Sequence, residues 1–372
     1  MPSALTYPGV YVEEVPSGVR TITGVATSIT AFLGRARRGP VDKAIVINSF
    51  GDFESIFGGL WNSSTLGFAV RDFFLNGGGQ AIIVRIYQPE PAAQGEEAGP
   101  PATASLTAGA LKFVAATPGK WGVNLRVEVD TKGVSDEMAK ALGAALTKAD
   151  LFNLTVRDTS TGKSEKYVNL TVKDSPRRVD KVLEANSDLI RYDGAPAPET
   201  VIKAEPDELG KLENDLAAAK KKLTDDQNSG FAAPALEDDK NKLTAAKKAL
   251  DDKLDEKAKA VSDGAWLTVT NFLPVGGLTD KKGLYALEQA DLFNILCIPP
   301  YRNPTDPLDV DVNLVSAAAA YCEKRRAMLI VDAPLDWTSK DKARDKFNDA
   351  NNDNVGTRSK NAALYFPRLL QP

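Results

Sequence analysis

The sequence predicts a mixed α/β protein of several domains, in which a layered α/β core carries a β-rich inserted domain and a helical-hairpin insertion. Three observations lead there. Near-continuous apolar runs at 81–87, 293–298 and 328–332 have the composition of strands covered on both faces, with helical spacing nearby. Short strand-like runs broken by turn residues occupy 111–192. Between 205 and 259, leucines recur at three- and four-residue steps among lysines and aspartates, interrupted by Asn228, Ser229, Gly230 and Pro234. That is the pattern of two heptad-like helices folded back on each other. A chain of 372 residues has room for two or three domains of about 100–200 residues.

Residues 1–20 read as an extended arm. Pro8 and Gly9 break any helix, and Val10, Tyr11 and Val12 have strand composition with Glu13 and Glu14 behind them. The segment formed by Tyr7, Val10, Tyr11, Val12, Glu13, Glu14 and Val15 has two readings: an edge strand of the chain's own sheet, or an arm that adds a strand to another subunit. Residues 21–87 supply the first part of the core, with strands at 28–34, 44–47 and 81–87 and a turn at 35–40. Ser64 or Thr65 caps a helix whose Leu66, Val70, Phe73 and Phe74 share a face. The glycines at 77–79 follow this helix and precede a strand, the reverse of a phosphate loop, and no Lys-Ser/Thr pair follows them. They are a helix C-cap and turn.

Residues 88–105, rich in Pro, Ala, Gly and Glu, read as a linker. The β-rich domain, 106–204, is expected to hold strands at 111–116, 125–129, 152–157, 166–171 and 189–192, with helices at 136–148 and 179–186. The hairpin insertion spans 205–262, and its lysines are nearly matched by Asp and Glu, as on a solvated helical face. Residues 263–372 return to the core with strands at 266–272, 293–298, 328–332 and 362–366, a turn at 275–278, and helices at 284–290, 309–326 and 340–347. Leu314, Ala318 and Tyr321 share a face of the 309–326 helix.

Composition narrows the function. Hydrophobic residues make up 43% and charged residues 26%, and 46 basic against 50 acidic residues give a net charge of −4. Neither nucleic acid nor an anionic membrane is expected as a partner. No apolar run approaches the roughly 18–20 residues that span a bilayer, and the N-terminus lacks a secretory pattern, which predicts folding in the cytoplasm. Histidine is absent altogether, which removes Ser-His-Asp and Cys-His catalysis and the common zinc sites. Cys297 and Cys322 lie in apolar or alanine-rich surroundings and read as reduced core thiols. Asp306, Asp309 and Asp311 are close in sequence, capping accounts for Asp306 and Asp309 ahead of a helix, and Asp332 and Asp336 end a strand. Asp332 keeps a small functional reading, because α/β enzymes often place function at strand ends. The Asp-rich stretch 345–354 lacks the spacing of a calcium loop. No catalytic, cofactor-binding or metal residue is assigned, and no enzyme activity is expected.

The order of motifs then carries a resemblance. YPGVYVEEVPSG, TSITAFLGRARRGP and GFAVRDFFLNGGGQAIIVRI look like the N-terminal region of contractile tail sheath proteins. ATPGKWGVNLRVEV, FNLTVRD with KYVNLTV, and FLPVGGLTD before ALEQADLFNILCIPP follow in the family's order. YCEKRRAMLIVDAPLDW and SKNAALYFPRLLQP continue it, so the resemblance is collinear from Tyr7 to Pro372. The regions 205–259 and 88–105 are unmatched and look like insertions. Within the family, the chain is most similar to sheaths of extracellular injection systems and R-type pyocins. Family members usually continue past the ALYFPRLLQP segment, which implies that a C-terminal sheath portion is missing here.

The resemblance implies a structural subunit, made in the bacterial cytoplasm and belonging to a virion or released tail-like particle. Six-membered rings of such subunits stack helically around an inner tube, and extended arms add strands to neighbouring sheets. Partners would be other sheath subunits, the tube protein, and baseplate and tail terminator or cap proteins, with no membrane insertion by this subunit. A metastable extended state released by a trigger would drive contraction without nucleotide. The hairpin and linker would face outward, away from the tube. Two other readings stand beside it: a non-contractile binding or adhesion module, and a carboxylate-dependent hydrolase built around Asp332.

Overall fold

The computed structural model describes residues 28–92, 99, 102–229, 231, 233–301, 310–349 and 355–368. The apolar strands form one sheet. β1 (Thr30–Gly34) is central, β2 (Ala44–Ile47) leads to α1 (Phe50–Phe57) and α2 (Leu66–Leu75), and β3 (Ala81–Arg85) returns parallel to β1 with Thr30 opposite Ala81. All five residues of both β1 and β3 are buried. Their side chains divide by alternation: Phe32, Ala81 and Ile83 pack on α1 and α2, while Ala31, Leu33, Ile82 and Val84 enter the larger core on the other face.

The sequence reading left out α1. Its signals are local: Ser49 caps it by accepting from the Asp52 amide, Gly58 ends it in the left-handed region at φ 91°, and Phe53 and Phe57 stack at 5.4 Å. The α2 helix is preceded by both expected capping residues, but Ser64 is the one whose oxygen accepts from the Leu66 amide. Thr65 instead donates to the Pro300 carbonyl.

The chain then builds a second body around its own core. β4 (Ser105–Ala108) and β5 (Leu111–Ala115) begin one three-stranded antiparallel sheet. β6 (Leu125–Asp130), α3 (Asp136–Leu142), β7 (Phe152–Asp158) and β8 (Ser164–Leu170) follow, and the three strands make a second sheet. α4 (Val179–Asn186) and β9 (Ile190–Tyr192) return to the first. Leu106, Phe113 and Ile190 from one sheet meet Val127, Leu154 and Val156 from the other. The expected 136–148 helix stops at Leu142, where Gly143 follows in an extended conformation, and a short 3-10 turn occupies Lys148–Asp150.

The outer edge of β6 is closed by the approach to the hairpin. Val129 N donates to Glu205 O at 3.0 Å and Asp207 N to Val127 O at 2.7 Å. Asp207 then caps α5 (Glu208–Asn228), which folds back along α6 (Ala233–Lys259). At 1.5 Å per residue these helices are about 30 and 40 Å long.

From here the core is completed. The stretch 266–272, expected as a strand, instead forms the short helix α7 (Val269–Phe272). The cause is a capping box: Asn271 Oδ1 accepts from the Thr268 amide at 2.8 Å, and Phe272 is driven into the core. Next comes α8 (Gly277–Asp280) in place of a simple turn, then a 3-10 segment at Gly283–Gln289 where a helix was expected. β10 (Ile295–Cys297), α9 (Val312–Arg325), β11 (Met328–Asp332), α10 (Lys340–Asn348) and β12 (Ala362–Tyr365) finish the sheet. Its order is β12-β11-β10-β1-β3-β2, with only β2 antiparallel. The cap of α9 is Asp311, whereas Asp306 and Asp309 lie outside the described residues.

Arg85 and Arg38 join the two bodies, and Arg35 holds the point where the chain re-enters the core. Arg85, 1% exposed, donates to the carbonyls of Ala36, Gly39 and Pro118 at 2.7–2.9 Å. Burial pulls its pKa down to about 10, so the guanidinium stays charged at neutral pH. Arg38 bridges Asp158 at 2.9 Å and donates to the Ser55 carbonyl at 2.7 Å. Arg35 lies between the rings of Trp61 and Trp266, 4.8 Å from each, and donates to the Gly264 carbonyl. The close approach needs Gly119, at φ 126°, where a Cβ would fall 2.6 Å from the Arg37 carbonyl oxygen.

Arg85→Met is expected to leave three carbonyls without their donor and to cost about 3–5 kcal/mol, read as a lower urea midpoint. The pH dependence follows from Asp158. Burial pushes its carboxyl up, but hydrogen bonds from Ser160 and Thr161, with the Arg38 charge, outweigh this and hold it below the usual range. With the folded value below the unfolded one, the stabilisation is complete above about pH 4 and is lost as pH falls through the folded value. Thermal melts of Asp158→Asn should therefore show a shallower loss below about pH 4 than those of the parent.

Candidate assembly surfaces

The predicted arm residues Tyr7, Val10, Tyr11, Val12, Glu13, Glu14 and Val15 lie outside the described residues. What the fold offers to a partner is read from the six-stranded sheet. α1 and α2 cover β1, β2 and β3 on one face, and α9 with the 3-10 segment covers the other. On the α1/α2 side, Cys297 of β10 packs against the cluster under those helices, whereas β11 and β12 have no helix over them among the described residues. Met328 (38% exposed) and Tyr365 (64%) are open there, and Ile330 is half-buried. Parallel strands are normally buried on both faces, so this open face of β11 and β12 is a candidate contact surface.

The two rims of the sheet also differ. β2 carries Val46, 51% exposed. The neighbouring 273–281 segment, tied to the strand by the Gly283 amide on Asp42 at 3.0 Å, lifts Val275 and Leu278 into solvent. At the other rim, β12 borders a cleft of about 520 Å³ between itself and α10. Exposed apolar groups gathered at sheet edges mark contact surfaces more often than isolated ones do.

The hairpin presents a different chemistry. Its base is fixed: Leu209 is buried, Glu213 pairs with Arg126 and Arg157 at 2.8 Å, and Asp207 accepts from the Val127 and Gly210 amides at 3.2 Å. Burial pushes the Asp207 carboxyl above its usual range despite those bonds. Further out, Lys222 spans Asp226 and Asp239, and Lys248–Asp252 is one of several exposed pairs. Such pairs contribute little stability, and they solvate the face. Phe231 at the turn is 52% exposed.

The groups considered for chemistry are dispersed. Asp332 is exposed at the end of β11, beside a cleft lined otherwise by apolar residues such as Ile298, Val310, Val315 and Val355. Among the described residues no second titratable side chain lines it, and none form a metal-binding cluster. Cys322 is buried and Cys297 half-buried, both as free thiols. Burial, with the Asp332 charge added for Cys297, pushes both up to about 12.

Sequence reading missed Arg35, Arg38 and Arg85 as a junction. The signal available was a cation inside the apolar run AIIVRIY and three more in GRARRGP. It also passed over Trp337, 6% exposed, whose indole nitrogen has no hydrogen-bond partner among the described residues.

Neither a family model nor a curated protein matches this chain. Solved structures do align with it, among them two sheath tail proteins. The sheath tail protein of Listeria innocua is 11% identical, with a TM-score of 0.42 over 83% of this chain and 48% of that one. The sheath tail protein of Desulfitobacterium hafniense is 13% identical, with a TM-score of 0.41 over 87% of this chain and 52% of that one. The chain spans about half the length of both.

With pKa values near 12, both thiols should react with a maleimide or disulfide reagent at pH 8 roughly a thousandfold more slowly than a free cysteine. Stopped-flow labelling checks this, and full reactivity should return in denaturant.

Proposed function

We propose that this chain is a structural subunit of a contractile tail sheath, polymerising as stacked helical rings around an inner tube and contracting to drive it through a target envelope. The observation that carries the reading is the collinear order of sheath-like motifs from Tyr7 to Pro372. The fold gives those motifs structural work. TSITAFLGRARRGP contains β1 and the arginine junction, GFAVRDFFLNGGGQAIIVRI contains most of α2 and β3, and the segments around β10, β11 and β12 build the rest of the sheet.

The surfaces agree with polymerisation. A sheet with chemically different rims and, among the described residues, an uncovered face on β11 and β12 suits a heterologous contact, and such contacts propagate into rings or open helices. Partners would be further copies, the tube protein, the baseplate and a terminator. The hairpin, whose exposed face is all solvated charge, would point away from these contacts. Contraction would draw on a metastable arrangement of subunits. Strand exchange by residues 7–15 would keep copies tethered while they move, because main-chain hydrogen bonds survive rigid-body rotation of the bodies behind them. A hydrolase reading gains nothing from Asp332, beside which no second titratable side chain lines the cleft among the described residues. An adhesion module remains the reading to adopt should the protein stay monomeric.

The test is negative-stain electron microscopy of pelleted material from cells making the chain with its own tube protein. Striated or contracted cylinders are expected. Deleting residues 1–16 should abolish them while leaving a monomer with unchanged circular dichroism. Soluble monomers from the parent chain would overturn the sheath reading, and normal cylinders from the deletion would overturn the arm.

A further inference from the structure

Two apolar surfaces stand at opposite rims of the six-stranded sheet. The first is a knob beside β2, where Val275 is fully exposed and Leu278 is 52% exposed. Its backbone is tied at every step: Gly277 N donates to Pro274 O at 2.9 Å, Asp280 N to Gly276 O at 3.0 Å and Lys282 N to Gly277 O at 2.9 Å. Phe272, fully buried, roots the segment in the core. A turn built this firmly holds two aliphatic side chains in water with no gain to its own fold, which marks a contact surface. Lys281 and Lys282 follow the knob directly, with Asp280 as their acidic neighbour. The second surface is a strip on β11 and β12. Leu329, Val331, Ala362 and Leu364 pack on the core, so alternation turns Met328, Ile330, Ala363 and Tyr365 the other way. Ile330 lies opposite Ala363 and Asp332 opposite Tyr365, which places an acid at the C-terminal end of an otherwise apolar strip.

We propose that Val275 and Leu278 of one copy of this chain pack on Ile330, Ala363 and Tyr365 of the next, with Lys281 and Lys282 set against Asp332. The inference rests on the sheath reading and names a side-chain contact between its subunits. The occupant is a second copy because the two surfaces complement each other in charge as well as in hydrophobicity: a basic border on the knob, an acid on the strip. They cannot meet inside one subunit, since β2 and β11 are four strand spacings apart, about 19 Å. A patch that docks on a different patch of its own copy repeats head to tail. Apolar packing supplies the affinity of such a contact. The exposed ion pairs are individually weak, and their part is to fix register and exclude other pairings.

The experiment uses the full chain made with its own tube protein. Val275→Glu puts a charge into an apolar contact and should cut pelletable cylinders about tenfold or more. Its circular dichroism should match the parent's, because the side chain lies outside the fold. Lys281→Glu with Lys282→Glu should also lower the yield, and adding Asp332→Lys should restore it, which damage to folding would not do. A second readout pairs Val275→Cys with Ala363→Cys in a Cys297→Ser background and oxidises the assembled material. Covalent ladders of linked chains are expected on a non-reducing gel. Full yield from Val275→Glu, with no ladder from the cysteine pair, would overturn the contact while leaving the sheath reading standing. Protection of Ala363→Cys from a maleimide in the unassembled chain would overturn it too, by showing that the subunit covers its own strip. Absence of cylinders from the parent chain would overturn the sheath reading and this contact with it.

Discussion

Three guanidinium groups, from Arg35, Arg38 and Arg85, are taken out of water where the chain leaves the α/β core and where it comes back. Each donor of Arg85 ends on a carbonyl in irregular backbone, at Ala36, Gly39 and Pro118. Those carbonyls have no ladder partner of their own, so the arginine and the loops satisfy each other. A buried cation without such acceptors would cost several kcal/mol, and buried loop carbonyls without donors would cost comparably. The mutual requirement admits few geometries. It fixes where the β-rich body sits, and Asp158, held by Ser160, Thr161 and Arg38, locks the end of β7 to the same loop.

The return path is held by the same group of residues. Arg35 reaches the Gly264 carbonyl, and Asp263 accepts from the Lys120 amide at 2.7 Å. The insertion therefore leaves and re-enters the core at adjacent points, which is why some 170 residues can be accommodated without disturbing the parallel order of β1, β3 and β10. The hairpin exploits this. Its base is anchored by Asp207 and Glu213, and beyond them its helices contact mainly each other.

Much of this was legible in residues. Apolar runs placed β3, β10 and β11, short strand-like runs bounded by turn residues placed β5 to β9 but not β4, and leucine spacing with a Gly/Pro break placed α5 and α6. What failed was short and context-dependent. The stretch 266–272 has strand propensity in Trp266, Val269 and Phe272, yet a local Thr268–Asn271 capping box overrides it. α1 was missed because eight residues containing Gly51 give too little periodicity to outweigh their flanking glycines. The junction was illegible for a different reason: Arg85 reads as one polar interruption in a strand, and its three acceptors are 33 to 49 positions away.

On the sheath reading, these facts bear on where the work of contraction is stored. Inside a subunit, the sheet is packed on both sides over β1 and β3, and the arginine junction has one well-satisfied arrangement. Deforming either would expose unpaired carbonyls or a stranded cation at a cost of several kcal/mol, with no compensating contact in view. The surfaces are otherwise: among the described residues, an uncovered face on β11 and β12, and charged rims whose pairings exchange water for protein at little net cost. Two lattice arrangements of such surfaces can differ modestly in free energy per subunit and still sum to a large difference over a long tube. The subunit then moves as a rigid body, and the energy difference between states resides in the contacts between copies.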